Sequence, residues 1–230
     1  MNKPALVVID LQEDFLPSDG SLAVAGGRSI VEGIIDLLDV QKFPWAAVIA
    51  TQDWHPHDHI SFASQHSVEP YSQLEFTHPL GEKDETGSVK TLTQTVWPDH
   101  CVQNTFGSSI DAAFLTQFNQ VDGKVPKAIV QKGYLKDREY YSCFKDTWKL
   151  HKTEMEDTLR KLEVTDVIFV GLAYDFCVMN SAVDCSQSGF TTYVIKSLCK
   201  SVFPENISQT DDTYRNGGVK ILESIDDYSF

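Results

Sequence analysis

Val167-Ile-Phe-Val170-Gly171-Leu172-Ala173-Tyr-Asp-Phe-Cys177-Val178 is the stretch whose reading decides the fold. Residues 167–170 form an apolar run of the kind that makes a strand buried on both faces, and Gly171 is expected to break it. A short turn follows, and a helical pattern runs from Val178 to Gln187 until Gly189 stops it. Cys177 therefore stands where a helix opens behind a strand. The first N–H groups of a helix have no internal partner and carry partial positive charge, which predicts an easily ionised thiol there. A cysteine taken alone is more often buried structure. The rest of the chain argues against that reading.

The same strand-then-helix alternation extends outward in both directions. Ala5-Leu-Val-Val-Ile9 is a second doubly buried strand and ends in Asp10; Ala46-Ala-Val-Ile-Ala-Thr51 is another and runs into Asp53 and His55. Residues 127–130 make a short strand that leads into Lys132, and residues 191–195 and 219–222 supply two more. Ser29 with Glu32, and Thr153 with Glu156, have capping-box spacing, while Ser108 is placed to cap a helix through Phe114 and Phe118. Strands alternating with helices over the whole length predict α/β architecture, a mainly parallel sheet covered on both faces. No repeat, linker or low-complexity tract divides the 230 residues, so one domain, 1–230, is expected. Residues 60–100 show no clear period, and the part around 60–95 reads as a loop insertion.

Composition excludes several classes. A net charge of −14 argues against binding a phosphate backbone, so no nucleic-acid partner is expected. No apolar run reaches membrane-spanning length, and no secretory pattern opens the chain. Five cysteines without framework spacing or a CxxC pair point to a reduced compartment, with the cytoplasm as default and nuclear access left open.

Asp10, Asp53 with His55, Lys132 and Cys177 each follow a different strand. In parallel sheets ligands bind beyond the carboxyl ends of the strands, which would gather these residues although they span most of the chain. A cysteine nucleophile needs a proton acceptor, and Asp10 is the available base, with Lys132 to stabilise the ionised partner. Asp53 and His55, two apart in extended chain, offer oxygen and nitrogen to a metal on one side. A third ligand would come from among His57, His59, His66, His78 and His100.

The blocks Val8-Ile-Asp10-Leu-Gln12-x-Asp14-Phe15, Thr51-Gln-Asp53-Trp54-His55-Pro56, Trp97-Pro-Asp-His100-Cys101, Lys132-Gly133 and the segment 171–178 stand in one order. In that order the chain resembles the nicotinamidases, a branch of the isochorismatase-like cysteine hydrolases. Residues 137–142 and the long 60–95 segment look like the fungal type. The resemblance implies a three-layer sandwich with a six-stranded, mainly parallel sheet. It implies hydrolysis of nicotinamide to nicotinate and ammonia in NAD salvage, and deamidation of pyrazinamide. By position, Cys177 would be the nucleophile, Asp10 the general base and acid, and Lys132 their charge partner. Asp53, His55 and His100 would hold one divalent metal, usually zinc, with manganese or iron as alternatives. A cis peptide would fall at Leu172–Ala173, and the N–H groups of Ala173 and Cys177 would form the oxyanion hole. Phe15, Trp97 and Tyr141 would wall the pyridine ring. The small-molecule substrate is the partner implied, and a homo-oligomer stays open.

Overall fold

The computed structural model describes residues 2–230. Along the chain come β1 (Pro4–Ile9), α1 (Val31–Asp36), β2 (Ala47–Asp53), β3 (Gln73–Thr77), β4 (Thr91–Thr95), α2 (Ala112–Gln120) and β5 (Lys127–Lys132). Then follow α3 (Met155–Lys161), β6 (Asp166–Leu172), α4 (Cys177–Gln187), β7 (Thr191–Lys200), α5 (Ile207–Asn216) and β8 (Lys220–Leu222). Six strands form one sheet in the order β5-β2-β1-β6-β7-β8, and every pairing in it is parallel.

Side chains alternate across a strand, so each apolar run feeds two cores. Leu6, Val8, Val48, Ala50, Ile168 and Val170 face one side, where Ile34 of α1 and Phe114 and Phe118 of α2 cover them. Ala5, Val7, Ile9, Ile49, Val167 and Phe169 face the other, against Leu159 of α3, Val178 and Ala182 of α4 and Tyr214 of α5. Double coverage explains why β1 and β6 read as unbroken apolar runs: every residue in both is buried.

The strand order also fixes where a ligand fits. From β1 the chain moves outward to β2 and β5, then crosses back to place β6 on the opposite side of β1. Neighbours whose connections leave in opposite directions open a crevice at their carboxyl ends. Asp10 leaves β1 and Cys177 follows β6 at that crevice. The register brings Ile9 level with Gly171 and Asp53 level with Lys132.

Several local expectations change. β6 does not break at Gly171 but continues to Leu172, with a register shift against β7 between Phe169 and Gly171. Gly171 is required there: its φ is +116°, and a Cβ would lie 2.2 Å from the Ile9 carbonyl oxygen. Neither capping box forms. The Ser29 hydroxyl donates to the Gly26 carbonyl, because α1 begins later and more tightly than the spacing predicts. Thr153 is occupied with the Cys143 carbonyl and the Met155 N–H, leaving Glu156 to pair with Arg160. Asp111, not Ser108, caps α2 by accepting from the Phe114 N–H. The 60–100 segment is not structureless, for it carries the antiparallel β3–β4 ribbon.

Candidate active site and metal centre

Lys132, the last residue of β5, is fully buried, and its Nζ lies 2.9 Å from Asp10 Oδ2, 3.0 Å from Asp53 Oδ1, 3.0 Å from the Tyr140 carbonyl and 3.4 Å from Cys177 Sγ. The strand-end arithmetic thus brings Asp10, Asp53, Lys132 and Cys177 into one cluster around a single ammonium. Burial disfavours the charge on Lys132, but the two carboxylates and the thiol outweigh it and hold its pKa well above the usual lysine value. Asp10 is locked from the other side. Its backbone N–H donates to Thr51 Oγ1 at 3.0 Å, and the Thr51 hydroxyl donates back to Oδ1 at 2.6 Å. Burial raises the Asp10 pKa; Lys132 opposes the rise and Asp53 adds to it.

Cys177 opens α4, as expected, but its thiol is not easily ionised. Burial pushes its pKa well above the usual value; Lys132 pulls it down, while Asp10 and Asp53 raise it further. The helix-end argument is overridden by desolvation and neighbouring negative charge. Lys132 Nζ stands between the two groups, 3.4 Å from Cys177 Sγ and 2.9 Å from Asp10 Oδ2. The Leu172–Ala173 peptide is cis. Among the described residues, the N–H groups of Ala173 and Cys177 donate to no acceptor, and both residues line the same cavity.

Beside this cluster lies a second donor set. Asp53 Oδ2 is 3.1 Å from His55 Nε2 and 3.6 Å from His100 Nε2. His55 Nδ1 meets the Gly133 carbonyl at 2.8 Å and His100 Nδ1 the Pro98 carbonyl at 2.7 Å. A carbonyl only accepts, so Nδ1 is the donor in each ring, and Nε2 is the nitrogen left facing Asp53. His55 Nε2 is buried and makes no hydrogen bond. Burial works against a charged His55, yet Asp53 outweighs it and raises the imidazole to about 9, the response of a base aimed at a carboxylate. Burial also opposes the Asp53 charge, and His55 and Lys132 overcome it, holding that carboxyl well below its usual value. Donors sharing one small cation stand roughly 3–3.5 Å apart; here Asp53 Oδ2 is 3.1 and 3.6 Å from the two rings, and all three ligand atoms lie within 4.8 Å of one another. Gly133, at φ +74°, leaves room for the ring: a Cβ there would lie 2.5 Å from His55 Cε1. The site is suited to a divalent metal.

The fold also decides among the histidines. His59 stacks on His55 at 4.0 Å, but both its ring nitrogens are engaged, by Ser61 and the Arg138 carbonyl. His66 bonds to the Ile60 carbonyl and His78 pairs with Glu82. Sequence reasoning missed Glu139. Its buried carboxylate lies within 4.8 Å of the nearest ring nitrogens of His55 and His59. Nothing but its place in the 137–142 segment could have drawn attention to it.

Both sets border one small cavity, lined by Asp53, His100, Glu139, Ala173 and Cys177 and by Phe15, Trp97, Tyr141 and Phe176. Phe15 packs on His100 with ring centroids 5.5 Å apart, and Trp97 Nε1 donates to the Tyr141 hydroxyl at 3.1 Å. Leu22, Val24 and Val202 complete an apolar wall. A larger surface groove between α1 and α2 holds none of these residues.

The doubly wound sheet thus gathers a cysteine, a carboxylate and a lysine beside an Asp-His-His donor set at the carboxyl ends of its strands. Residues 4–225 match the isochorismatase domain model, and the chain belongs to that family. It is 36% identical over 221 residues to the nicotinamidase of Saccharomyces cerevisiae, covering 95% of this chain and 98% of that one. The crystal structure of the yeast nicotinamidase Pnc1p bound to the inhibitor nicotinaldehyde superposes with a TM-score of 0.86 at 34% identity, covering 95% and 99% of the two chains. The pyrazinamidase of Pyrococcus horikoshii in complex with zinc gives 0.70 at 27% identity, covering 96% and 98%. No helix among the described residues is long and apolar enough to cross a membrane.

Proposed function

We propose that this chain is a metal-dependent amidohydrolase that converts nicotinamide to nicotinate and ammonia in NAD salvage, and that it also cleaves pyrazinamide. One observation carries the reading: an aromatic-walled cavity is lined by Cys177, which is backed by Lys132 and Asp10, and by Asp53 and His100, which are grouped with His55. The likeness to yeast nicotinamidase over nearly both full lengths supports the substrate. The likeness to a zinc-bound pyrazinamidase supports zinc as the ion and pyrazinamide as a second substrate. The reading takes residues 1–230 as one domain, with 60–95 inserted in it.

The ring lies between Phe15, Trp97 and Tyr141, with its carboxamide toward Cys177. The protonated thiol gives its proton to Asp10, whose raised pKa suits it to receive one, as sulfur attacks the amide carbon. Lys132 keeps both the carboxylate and the emerging thiolate in place. Charge gathering on the amide oxygen is met by the N–H groups of Ala173 and Cys177. Asp10 returns its proton to the leaving ammonia, then takes one from the water that attacks the thioester carbon and passes it to the Cys177 sulfur as the C–S bond breaks and nicotinate is freed. Asp53, His55 and His100 would hold a divalent cation, and the chemistry it would supply there is Lewis acidity toward the substrate.

The test is ammonia release from nicotinamide before chelation, after it, and after zinc is restored. Turnover that falls and then returns is expected. Turnover indifferent to metal would remove the metal role, and cleavage of carbamoyl amides without nicotinamide turnover would overturn the substrate.

A further inference from the structure

Gln12 is fully buried, yet nothing in the reaction above uses it. Its side-chain amide grips the backbone of one residue twice: Nε2 donates to the Asp53 carbonyl at 2.8 Å, and Oε1 accepts from the Asp53 N–H at 2.7 Å. The second Nε2 proton goes to the Ser108 carbonyl at 2.9 Å. The need for this arrangement comes from the sheet. The β1–β2 ladder ends at the pair Val8 and Ala50, whereas β2 continues to Asp53 and pairs on its other side with Lys132 of β5. The outer edge of Asp53 therefore extends past the strand that should cover it, and an uncovered, buried N–H and C=O are costly. An amide side chain is a peptide group without a chain, with one donor face and one acceptor face. Gln12 replaces the missing rung.

We infer that Gln12 is a positioning residue for the metal centre: its amide fixes the Asp53 backbone, so that Oδ2 is aimed at the Nε2 atoms of His55 and His100 while Oδ1 stays on Lys132. The same side chain ties the strand end to the loop that follows His100, through Ser108. Both oxygens of Asp53 are committed in different directions, and a rotation of its backbone would move them together. Partners behind a metal ligand typically change metal affinity by about 10- to 100-fold when removed. The inference rests on Asp53, His55 and His100 being the metal centre.

The structure supplies a matched control. Gln52 Nε2 also donates to the Ser108 carbonyl, at 2.8 Å, but its Oε1 accepts from Gln131 and it does not touch Asp53 through its side chain. Zinc dissociation constants would be measured by competition with a chromophoric chelator on wild type, Gln12→Met, Gln12→Asn and Gln52→Met, with His100→Ala as the ligand-loss reference. The fold of each apoprotein would be checked by circular dichroism and urea unfolding. Gln12→Met, which keeps the length and loses the amide, is expected to weaken zinc by about 10-fold or more, with Gln52→Met within about 2-fold of wild type. Gln12→Asn keeps the amide one methylene short and is expected to fall between them; should Gln12→Met not fold, it decides the question. Unchanged zinc affinity in a folded Gln12 variant overturns the inference, as does equal weakening by Gln52→Met. Failure of wild type to bind zinc, or equal binding by His100→Ala, overturns the metal reading itself.

Discussion

Cys177 is best understood as a thiol kept in reserve. In the proposed reaction its raised pKa makes nucleophilicity depend on a partner that takes the proton at the moment of attack, and Asp10, which shares the Lys132 ammonium with the sulfur, is the carboxylate proposed for it. This makes the pair non-additive: loss of either removes the same step. Cys177→Ala is expected to bind nicotinamide, since the aromatic walls and the metal ligands are untouched, while ammonia release falls by at least about 10⁴-fold. Equilibrium binding and single-turnover assays check the two halves, and near-normal turnover would end the covalent mechanism. The five candidate histidines illustrate the limit of local reading. All share the same chemistry, and what selects His100 is that its Nε2 faces Asp53 while its Nδ1 is bound to a carbonyl.

At the scale of elements, β6 and the turn behind it carry the demanding geometry. A left-handed residue beside a neighbouring strand admits only glycine, since Gly171 has the Ile9 backbone against its open face. Gly171→Ala is expected to cost about 3 kcal/mol or more, from the φ of the position and the displacement of β1 combined. Urea unfolding measures it, and an unchanged midpoint would show that β1 yields without strain. The apolar runs of β1, β2 and β6 were legible because burial on both faces writes itself into consecutive residues. The β3–β4 ribbon was not. β3 alternates exposed and half-buried residues over only five positions, and β4 has no such alternation and a single apolar residue, Leu92, so the pattern is too short to read. The capping boxes failed for a related reason: the spacing was present, but Ser29 and Thr153 had nearer backbone partners.

At the scale of the molecule, the turn that holds Ala173 is tied to distant elements. Tyr174 donates to Asp211 of α5 at 2.7 Å, Lys196 of β7 pairs with the same carboxylate at 2.6 Å, and Tyr214 donates to the Tyr174 carbonyl at 2.6 Å. Burial works to raise the Asp211 pKa, but Lys196 and Tyr174 prevail and hold it below the ordinary 3.8. A carboxyl depressed in the folded state binds fewer protons there than in the unfolded chain, so it stabilises the fold above 3.8. That contribution is lost as pH falls through the lowered value. Asp211→Asn should therefore lower the melting temperature near neutrality, with the difference from wild type closing in strong acid. A difference that stays constant with pH would assign the loss to packing.

The sequence by itself determined the α/β alternation, the buried strands and the residues that stand at their ends. Hydrophobic periodicity and strand-end chemistry are local properties, written in neighbouring residues. It also carried the resemblance, because five blocks kept their order. The tertiary structure alone decided which histidine faces Asp53, that Glu139 turns inward, that burial lifts the Cys177 pKa and that Gln12 completes the edge of β2. Each of these depends on groups far apart in the chain, and the electrostatics of a buried site follow from what surrounds it in space.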